Sequence, residues 1–372
     1  HAIIVHPLKQ PELFCLDQLR PSRYLHQRPG GFAMIRWLQF DNVSLFVAVD
    51  APYERIAMKK LKGFSSKLRS APLQLPSPRA RDKISAEIAI SSLRDVLVKR
   101  QLPLDVPVTP FPQLLDFQYH GPGDATLLYK FYNGGTLYDV IMSRKRARRK
   151  VPEGFIWHVI AQLFRALCYL HTGHFPLPGR AGEAAPQNPN WVPICHWDGH
   201  ESNVWLHSPS ADEMAQDPNL RGCSVEFPQV ILGDFGGAFE VDHEEASDML
   251  CKPVSTEMPE LATWRDKACF GRNIKHLIFA SDPDVQLYGL GQFKYRRVDK
   301  EPRGNFHALS GYSDELIDVV AKFEPLIEIL ESYSNFGIEM GRTDRSDWPK
   351  FPSNEFLYGA TIARADYHVA RY

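Results

Sequence analysis

The sequence predicts an α/β (α+β) chain of two lobes, a small β-rich one first and a larger helical one after it. Three observations carry that expectation. Short runs rich in β-branched and aromatic residues fall between residues 32 and 61 and again between 114 and 131, the pattern of an antiparallel sheet. Gly134-Gly135 then breaks the sheet pattern. From residue 152 onward apolar residues recur at helical spacing instead.

The elements follow in order. Residues 1–30 carry Pro7, Pro11, Pro21 and Pro29 and read as an N-terminal extension wrapping the first lobe. Strands are expected at 32–40, 44–49 and 55–61. Residues 65–79 are rich in Ser, Lys and Pro and read as a loop. Ile84, Ile88, Leu93, Val96 and Leu97 make 81–99 an amphipathic helix. Two more strands, 114–119 and 125–131, flank the turn Gly121-Pro122-Gly123-Asp124 and close a small lobe at 31–132. The passage from Asn133 to Tyr138 is a hinge into the large lobe, 133–342. Ile156, Val159, Ile160, Leu163, Leu167 and Leu170 predict a long buried helix over 152–172. Residues 176–193 and 208–222 are Pro-, Gly-, Ala- or polar-rich and read as surface insertions. Further helices are expected at 266–280, 282–290 and 313–332, and an irregular C-terminal tail at 343–372.

Bulk properties narrow the function classes. With 372 residues there is room for one large domain or two modest ones. A net charge of -1 gives no global attraction to nucleic acid or membrane. A hydrophobic share of 44% and a charged share of 23% suit a globular protein. No run approaches the ~18 apolar residues of a membrane span. The six cysteines are scattered with no C-x-x-C pair, which argues against a zinc site and a disulfide framework and for a reducing, intracellular setting. The start at His1 rather than Met is expected of a trimmed piece, whose targeting segment, if any, lies upstream.

The chemistry concentrates in two stretches. Ile194-Cys195-His196-Trp197-Asp198-Gly199-His200-Glu201-Ser202-Asn203 reads H-x-D-x-x-x-x-N, and Val230-Ile231-Leu232-Gly233-Asp234-Phe235-Gly236 reads apolar residues, then Gly-Asp-Phe-Gly. They supply two carboxylates and an amide at the ends of short strands. Phosphoryl transfer from ATP needs one Asp to orient the attacking hydroxyl, and one Asp with one Asn to hold Mg²⁺. The succession of the two motifs resembles the catalytic loop and metal-binding loop of the eukaryotic-type protein kinase superfamily.

The resemblance implies roles for other residues. Ile56-Ala57-Met58-Lys59 resembles the V-A-I-K strand, so Lys59 would reach the ATP phosphates and Glu87, in Ala86-Glu87-Ile88-Ala89, would hold it. Residues 127–135 resemble the hinge, so backbone groups of Lys130, Phe131 and Tyr132 would face the adenine and Tyr129 would be a large gatekeeper. Asp198 would orient the hydroxyl of a Ser/Thr acceptor, while Asn203 and Asp234 would bind Mg²⁺. Met258-Pro259-Glu260-Leu261 resembles A-P-E, and Asp266 to Gly271 resembles the opening of the family's central helix. Ser247, Ser255 and Thr256 then fall in an activation segment as candidate phosphorylation sites.

The chain also departs from the family. The expected glycine-rich loop falls on Phe40 to Val47, which contains no Gly, so backbone cannot close freely over phosphates. Trp197 replaces the Arg that anchors a phosphorylated activation segment, so no switch of that type is expected. Pro253 stands where a Thr usually holds the catalytic Asp. These departures motivate a second reading, a pseudokinase that uses the fold as a binding module for a protein partner. His200 replaces the usual Lys and is also a habit of aminoglycoside and choline kinases, so His200 joins the catalytic candidates and a small-molecule kinase is the third reading. ATP, Mg²⁺ and a protein substrate or partner are the expected ligands, with no membrane and no clear nucleic acid. The basic run from Arg144 to Lys150 reads as a nuclear-localisation signal, a dock for an acidic or phosphorylated partner, or a solvated helix end. The expected location is cytoplasmic or nuclear.

Overall fold

The computed structural model describes residues 32–39, 43–48, 55–61, 110–121, 124–174, 176, 193–216, 227–240, 263–281, 285–288, 292–295, 311–327 and 356–371. The α+β expectation holds: a small antiparallel sheet comes first and helices follow. Strands β1 (Phe32–Gln39), β2 (Val43–Ala48), β3 (Arg55–Leu61), β4 (Leu114–Gly121) and β5 (Asp124–Lys130) form one sheet in the order β1-β2-β3-β5-β4. Neighbours pair antiparallel throughout. β5 is buried from Ala125 to Tyr129, as its unbroken apolar run requires for a central strand. Lys59 on β3 sits opposite Val43 on one side and Leu127 on the other. The expected helix over 81–99, with Glu87, lies outside the described residues, as do the extension, most of the 176–193 insertion, the A-P-E passage, Pro253 and the three candidate phosphorylation sites.

The hinge is defined by close backbone approach. The Gly134 N–H donates to the Leu206 carbonyl at 2.9 Å. A Cβ on Gly134 would stand 2.8 Å from that oxygen, so only glycine fits. Thr136 then caps helix α1 (Leu137–Ala147) by a reciprocal box with Asp139. Helix α2 (Glu153–Thr172) is the centre of the large lobe, with every residue from Gly154 to Thr172 except Gln162 buried. A helix apolar on all sides must be covered on all sides. Strands β6 (Ile194–Cys195), β7 (Val204–His207), β8 (Gln229–Leu232) and β9 (Phe239–Glu240) form two short ladders, β7 with β8 and β6 with β9. A short helix α3 (Ala211–Gln216) lies within the 208–222 insertion. Helix α4 (Trp264–Ile278) packs on α2.

Two expectations are corrected. Within the helix expected over 282–290, the described residues form a strand instead: β10 (Val285–Tyr288) pairs with β11 (Gln292–Tyr295). Gly289 and Gly291 interrupt the apolar pattern there, and glycine disfavours a helix interior and favours a turn. The C-terminal tail is not irregular throughout. After helix α5 (Asp314–Ala321), residues Phe356–Thr361 and helix α6 (Ile362–Val369) pack against α2. Tyr358, Ile362 and Ala365 are buried there, and Arg165 Nη2 meets the Asp366 carboxylate at 2.5 and 2.6 Å. No helix among the described residues is long and apolar enough to cross a membrane.

Candidate functional site

Helix α4 positions the His196 loop. The N–H groups of His196 and Trp197 donate to Asp266 Oδ2 and Oδ1, each at 2.8 Å. About two turns on, Asn273 Nδ2 donates to the Gly199 carbonyl at 2.8 Å. Further along the same helix His276 Nδ1 pairs with Glu201. Three polar side chains on one face thus hold successive backbone and side-chain groups of a loop that ends in a single 3₁₀ turn, Glu201–Asn203. Burial alone would raise the Asp266 carboxyl, yet His171, His196 and the donated bonds keep it below the usual carboxylate range. His171 Nε2 lies 3.0 Å from Asp266 Oδ2, and its Nδ1 lies 2.5 Å from the Tyr358 hydroxyl. The corrected C-terminal segment therefore takes part in supporting this loop.

Trp197 has φ 67 and Asp234 has φ 59, two of three non-glycine residues with left-handed backbone among those described. Such conformations persist where the surroundings over-determine them, and they cluster at functional sites. Trp197 is fixed by Asp266 on its N–H side, and the Arg265 guanidinium lies 4.1 Å over its indole.

Asp198, with its side chain 51% exposed, sits at the open side of the loop. Asn203 Nδ2 donates to the Asp198 carbonyl at 2.9 Å and to Oδ2 at 3.2 Å. His200 Nε2 is 3.5 Å from Asp198 Oδ1, and the Ser202 N–H donates to His200 Nδ1 at 3.2 Å. Nδ1 is therefore the acceptor and Nε2 the protonated nitrogen facing Asp198. The His200 bond is the main cause that lowers the Asp198 pKa. Burial lowers His200, but the Asp198 carboxylate outweighs it and the net shift is upward.

Asp234 follows β8. Lys59 Nζ lies 2.6 Å from Asp234 Oδ1, joining the sheet to the loop after β8. The Gly233 N–H donates to the Asn203 carbonyl at 2.8 Å, and Gly233 O meets His196 Nε2 at 2.9 Å. The structure thus brings Lys59, Asp198, His200, Asn203 and Asp234 into one connected region. Among the described residues Asp234 is a carboxylate paired with Lys59, while Glu87 lies outside them. With its Nδ2 on Asp198, Asn203 keeps Oδ1 as the atom for a cation. Among the described residues no group of three or more His, Cys, Asp or Glu could hold a metal alone. One carboxylate and one amide oxygen are hard donors that fit Mg²⁺ only if phosphate or water oxygens complete its shell.

Two of the N–H groups expected to face the adenine are engaged within the protein. The Lys130 N–H donates to the Gln113 carbonyl at 3.0 Å and the Phe131 N–H to the Arg55 carbonyl at 3.4 Å, so neither is directed at a base. The space beside them holds aromatic rings. Tyr132 stacks on Trp205 with centroids 5.9 Å apart, and Tyr129 meets the same indole edge-on at 6.4 Å. The indole lies so close to Gly233 that a Cβ there would stand 2.6 Å from it. Trp205, two residues after Asn203, was not singled out from the sequence. Its place two residues after Asn203, in the short apolar run Val204-Trp205-Leu206, was the available signal. The first part of the 208–222 insertion is fastened to the hinge as well. Lys130 Nζ pairs with Glu213 at 3.1 Å, and Asn133 exchanges two hydrogen bonds with Ser208, both at 2.9 Å.

Acid should weaken this assembly. Burial pushes His158 and His276 down from 6.5 to about 4. An unfolded chain therefore binds more protons than the fold below pH 6.5, and stability is lost as pH falls from 6.5 toward 4. The stability contributed by the depressed carboxylates Asp266 and Glu201 is lost at still lower pH. Urea melts across that range check it. A midpoint that does not fall between pH 6.5 and 4 would contradict burial of neutral imidazoles.

No protein-family model matches this chain, and no curated protein matches it either. Among solved structures it is similar to a BubR1 kinase domain, at 14% identity and a TM-score of 0.45, with 95% of this chain and 86% of that chain covered.

Proposed function

We propose that the chain is a protein-kinase-like phosphotransferase that moves the γ-phosphoryl group of ATP, with Mg²⁺, to a Ser/Thr hydroxyl of a protein. The observation that carries this is the Lys59–Asp234 ion pair at 2.6 Å. It links the sheet to the loops bearing Asp198 and Asn203, so cation, metal ligands and hydroxyl-orienting carboxylate share one region. A bound Mg²⁺ would supply positive charge against the phosphate oxygens. Asp234 Oδ2 and Asn203 Oδ1 would hold it. Lys59 would turn from Asp234 toward phosphate. Asp198, kept ionised by His200, would accept a hydrogen bond from the acceptor hydroxyl and take its proton late in transfer.

The aromatic cluster favours a second reading, a binding module with weak or no turnover. Trp205, Tyr132 and Gly233 fill the region beside the hinge, and the sequence between residues 40 and 47 lacks glycine.

One experiment separates the two. Thermal melting is followed with ATP, with and without Mg²⁺, for the wild type, Asp234→Asn and Trp205→Ala. Saturation at about 100 times Kd adds about 2.7 kcal/mol of stability. A Mg²⁺-dependent shift in the wild type, lost in Asp234→Asn, supports phosphotransfer. No wild-type shift, with one appearing in Trp205→Ala, identifies the indole as the obstruction and supports the binding module. No shift in any form counts against nucleotide binding altogether.

A further inference from the structure

The last turn of α1 and the residues after it carry Arg144, Lys145, Arg146, Arg148, Arg149 and Lys150, six cations in seven positions of a chain whose net charge is -1. Arg146 and residues 148–150 are exposed. Basic residues in a last helical turn complement the helix dipole, which accounts for Arg144, Lys145 and Arg146. It does not account for Arg148, Arg149 and Lys150, which lie beyond the helix.

Arg148 is the informative residue. It terminates α1 in the left-handed conformation, φ 51 and ψ 39, where glycine is the usual occupant because any side chain is strained. An exposed arginine there is not explained by packing. Its N–H bonds back to the Lys145 carbonyl at 3.1 Å, and the Arg149 N–H to the Arg144 carbonyl at 3.1 Å. Lys150 Nζ lies over the Tyr312 ring at 5.6 Å, and the Tyr312 hydroxyl donates to the Val151 carbonyl at 2.8 Å. The nearby Glu153 carboxylate is engaged by Ser313 and by Trp157 Nε1. Among the described residues no carboxylate forms an ion pair with Arg146, Arg148 or Arg149. The backbone is thus fixed while these guanidinium groups face outward.

We propose that this surface docks a phosphorylated, acidic segment of a protein partner. Four of the six cations are arginines, whose planar forks suit phosphate bidentately. The run has no interleaved aromatic on which nucleic-acid bases would stack. It has no adjoining apolar residue that would enter a lipid surface. Its extent, one helix end, matches a short peptide. The dock is independent of the phosphotransfer reading, so Asp234→Asn protein should bind the same peptide equally well.

The test is fluorescence anisotropy with a labelled peptide of alternating phosphoserine and glutamate. Its serine form, a single-stranded uridylate RNA and phosphatidylserine vesicles are the comparisons. The phosphopeptide should bind best. Arg148→Gly should weaken it about tenfold, in line with loss of one charge-assisted contact. The same variant should melt no lower than the wild type, because glycine suits the backbone it inherits. A double substitution, Arg146→Ser with Arg149→Ser, should weaken binding further. Tighter binding of RNA or vesicles, indifference of the phosphopeptide to Arg148→Gly, or no binding by any probe would each overturn the proposal.

Discussion

Replacing Asp266 with alanine is expected to lower the stability of the fold by about 3–5 kcal/mol, the usual cost of removing one partner from a buried charged network. The carboxylate is fully buried and receives the N–H groups of His196 and Trp197, each at 2.8 Å. Removing it takes the acceptor from the buried His196 N–H, at about 1–3 kcal/mol, and the bond from the half-buried Trp197 N–H. It also strands His171, which contacts the same oxygen at 3.0 Å. Asp266→Asn should fall between the two, since an amide keeps one acceptor oxygen and presents an unwanted donor to the other N–H. Denaturant unfolding of the three proteins gives the order. If Asp266→Ala unfolds within about 0.5 kcal/mol of the wild type, as surface changes do, the loop must be held by something else. The effect should also reach the site. Trp197 has φ 67 with its N–H on Asp266 Oδ1, so loss of that acceptor should relax the loop, reported by its fluorescence, before global unfolding.

Asp198→Asn is expected to reduce phosphate transfer by roughly 100- to 10,000-fold, the range for a positioned acid–base group. Stability should stay within about 0.5 kcal/mol of the wild type, because the side chain is 51% exposed. An asparagine there still accepts from Asn203, so the loop should keep its shape. Single-turnover transfer from radiolabelled ATP to a mixture of protein acceptors measures it. Undiminished transfer would remove Asp198 from the reaction and with it the proposed route. His200 adds a second readout. Its imidazole is raised by Asp198, so the substitution should move the His200 ring titration downward, visible by NMR.

Much of this arrangement was legible before any coordinates. The five strands follow from alternating or unbroken apolar runs between Phe32 and Lys130, and α2 from apolar rows on every side. Asn203 directly before β7 and Asp234 two residues after β8 lie near strand ends as the sequence suggested, because strand-loop punctuation is local, while Asp198 lies in the loop beyond β6. What was not legible depends on contacts far apart in sequence. Lys59 and Asp234 are 175 residues apart, and Arg165 and Asp366 are 201 apart. The second of these pairs fastens a C-terminal segment whose apolar spacing, Tyr358, Ile362, Ala365, was present but passed for an irregular end. The hairpin over 285–295 was misread because a short apolar run fits helix and strand alike. Trp205 escaped notice because it and its neighbours across the fold, Tyr132 and Gly233, belong to three separate segments. Polar anchoring by Asn273 and His276 was hidden too, since a buried polar side chain on a helix gives no sequence signal until its partner loop is known.

The fastening of the inserted segment at Asn133 and Lys130 changes what that insertion is mechanically. A hinge works as a joint only if the chain on either side can turn against the other. Here a second connection runs alongside it, from Ser208 to Glu213, pinned to the joint at both ends. The joint behaves as a splinted one. Relative rotation of sheet and helices must stretch the splint or first release the Lys130–Glu213 pair, so salt that screens this ion pair should act as a lubricant for the motion. Anyone shortening the chain for crystallography would do well to trim after Gln216 and leave the six residues of that helix in place.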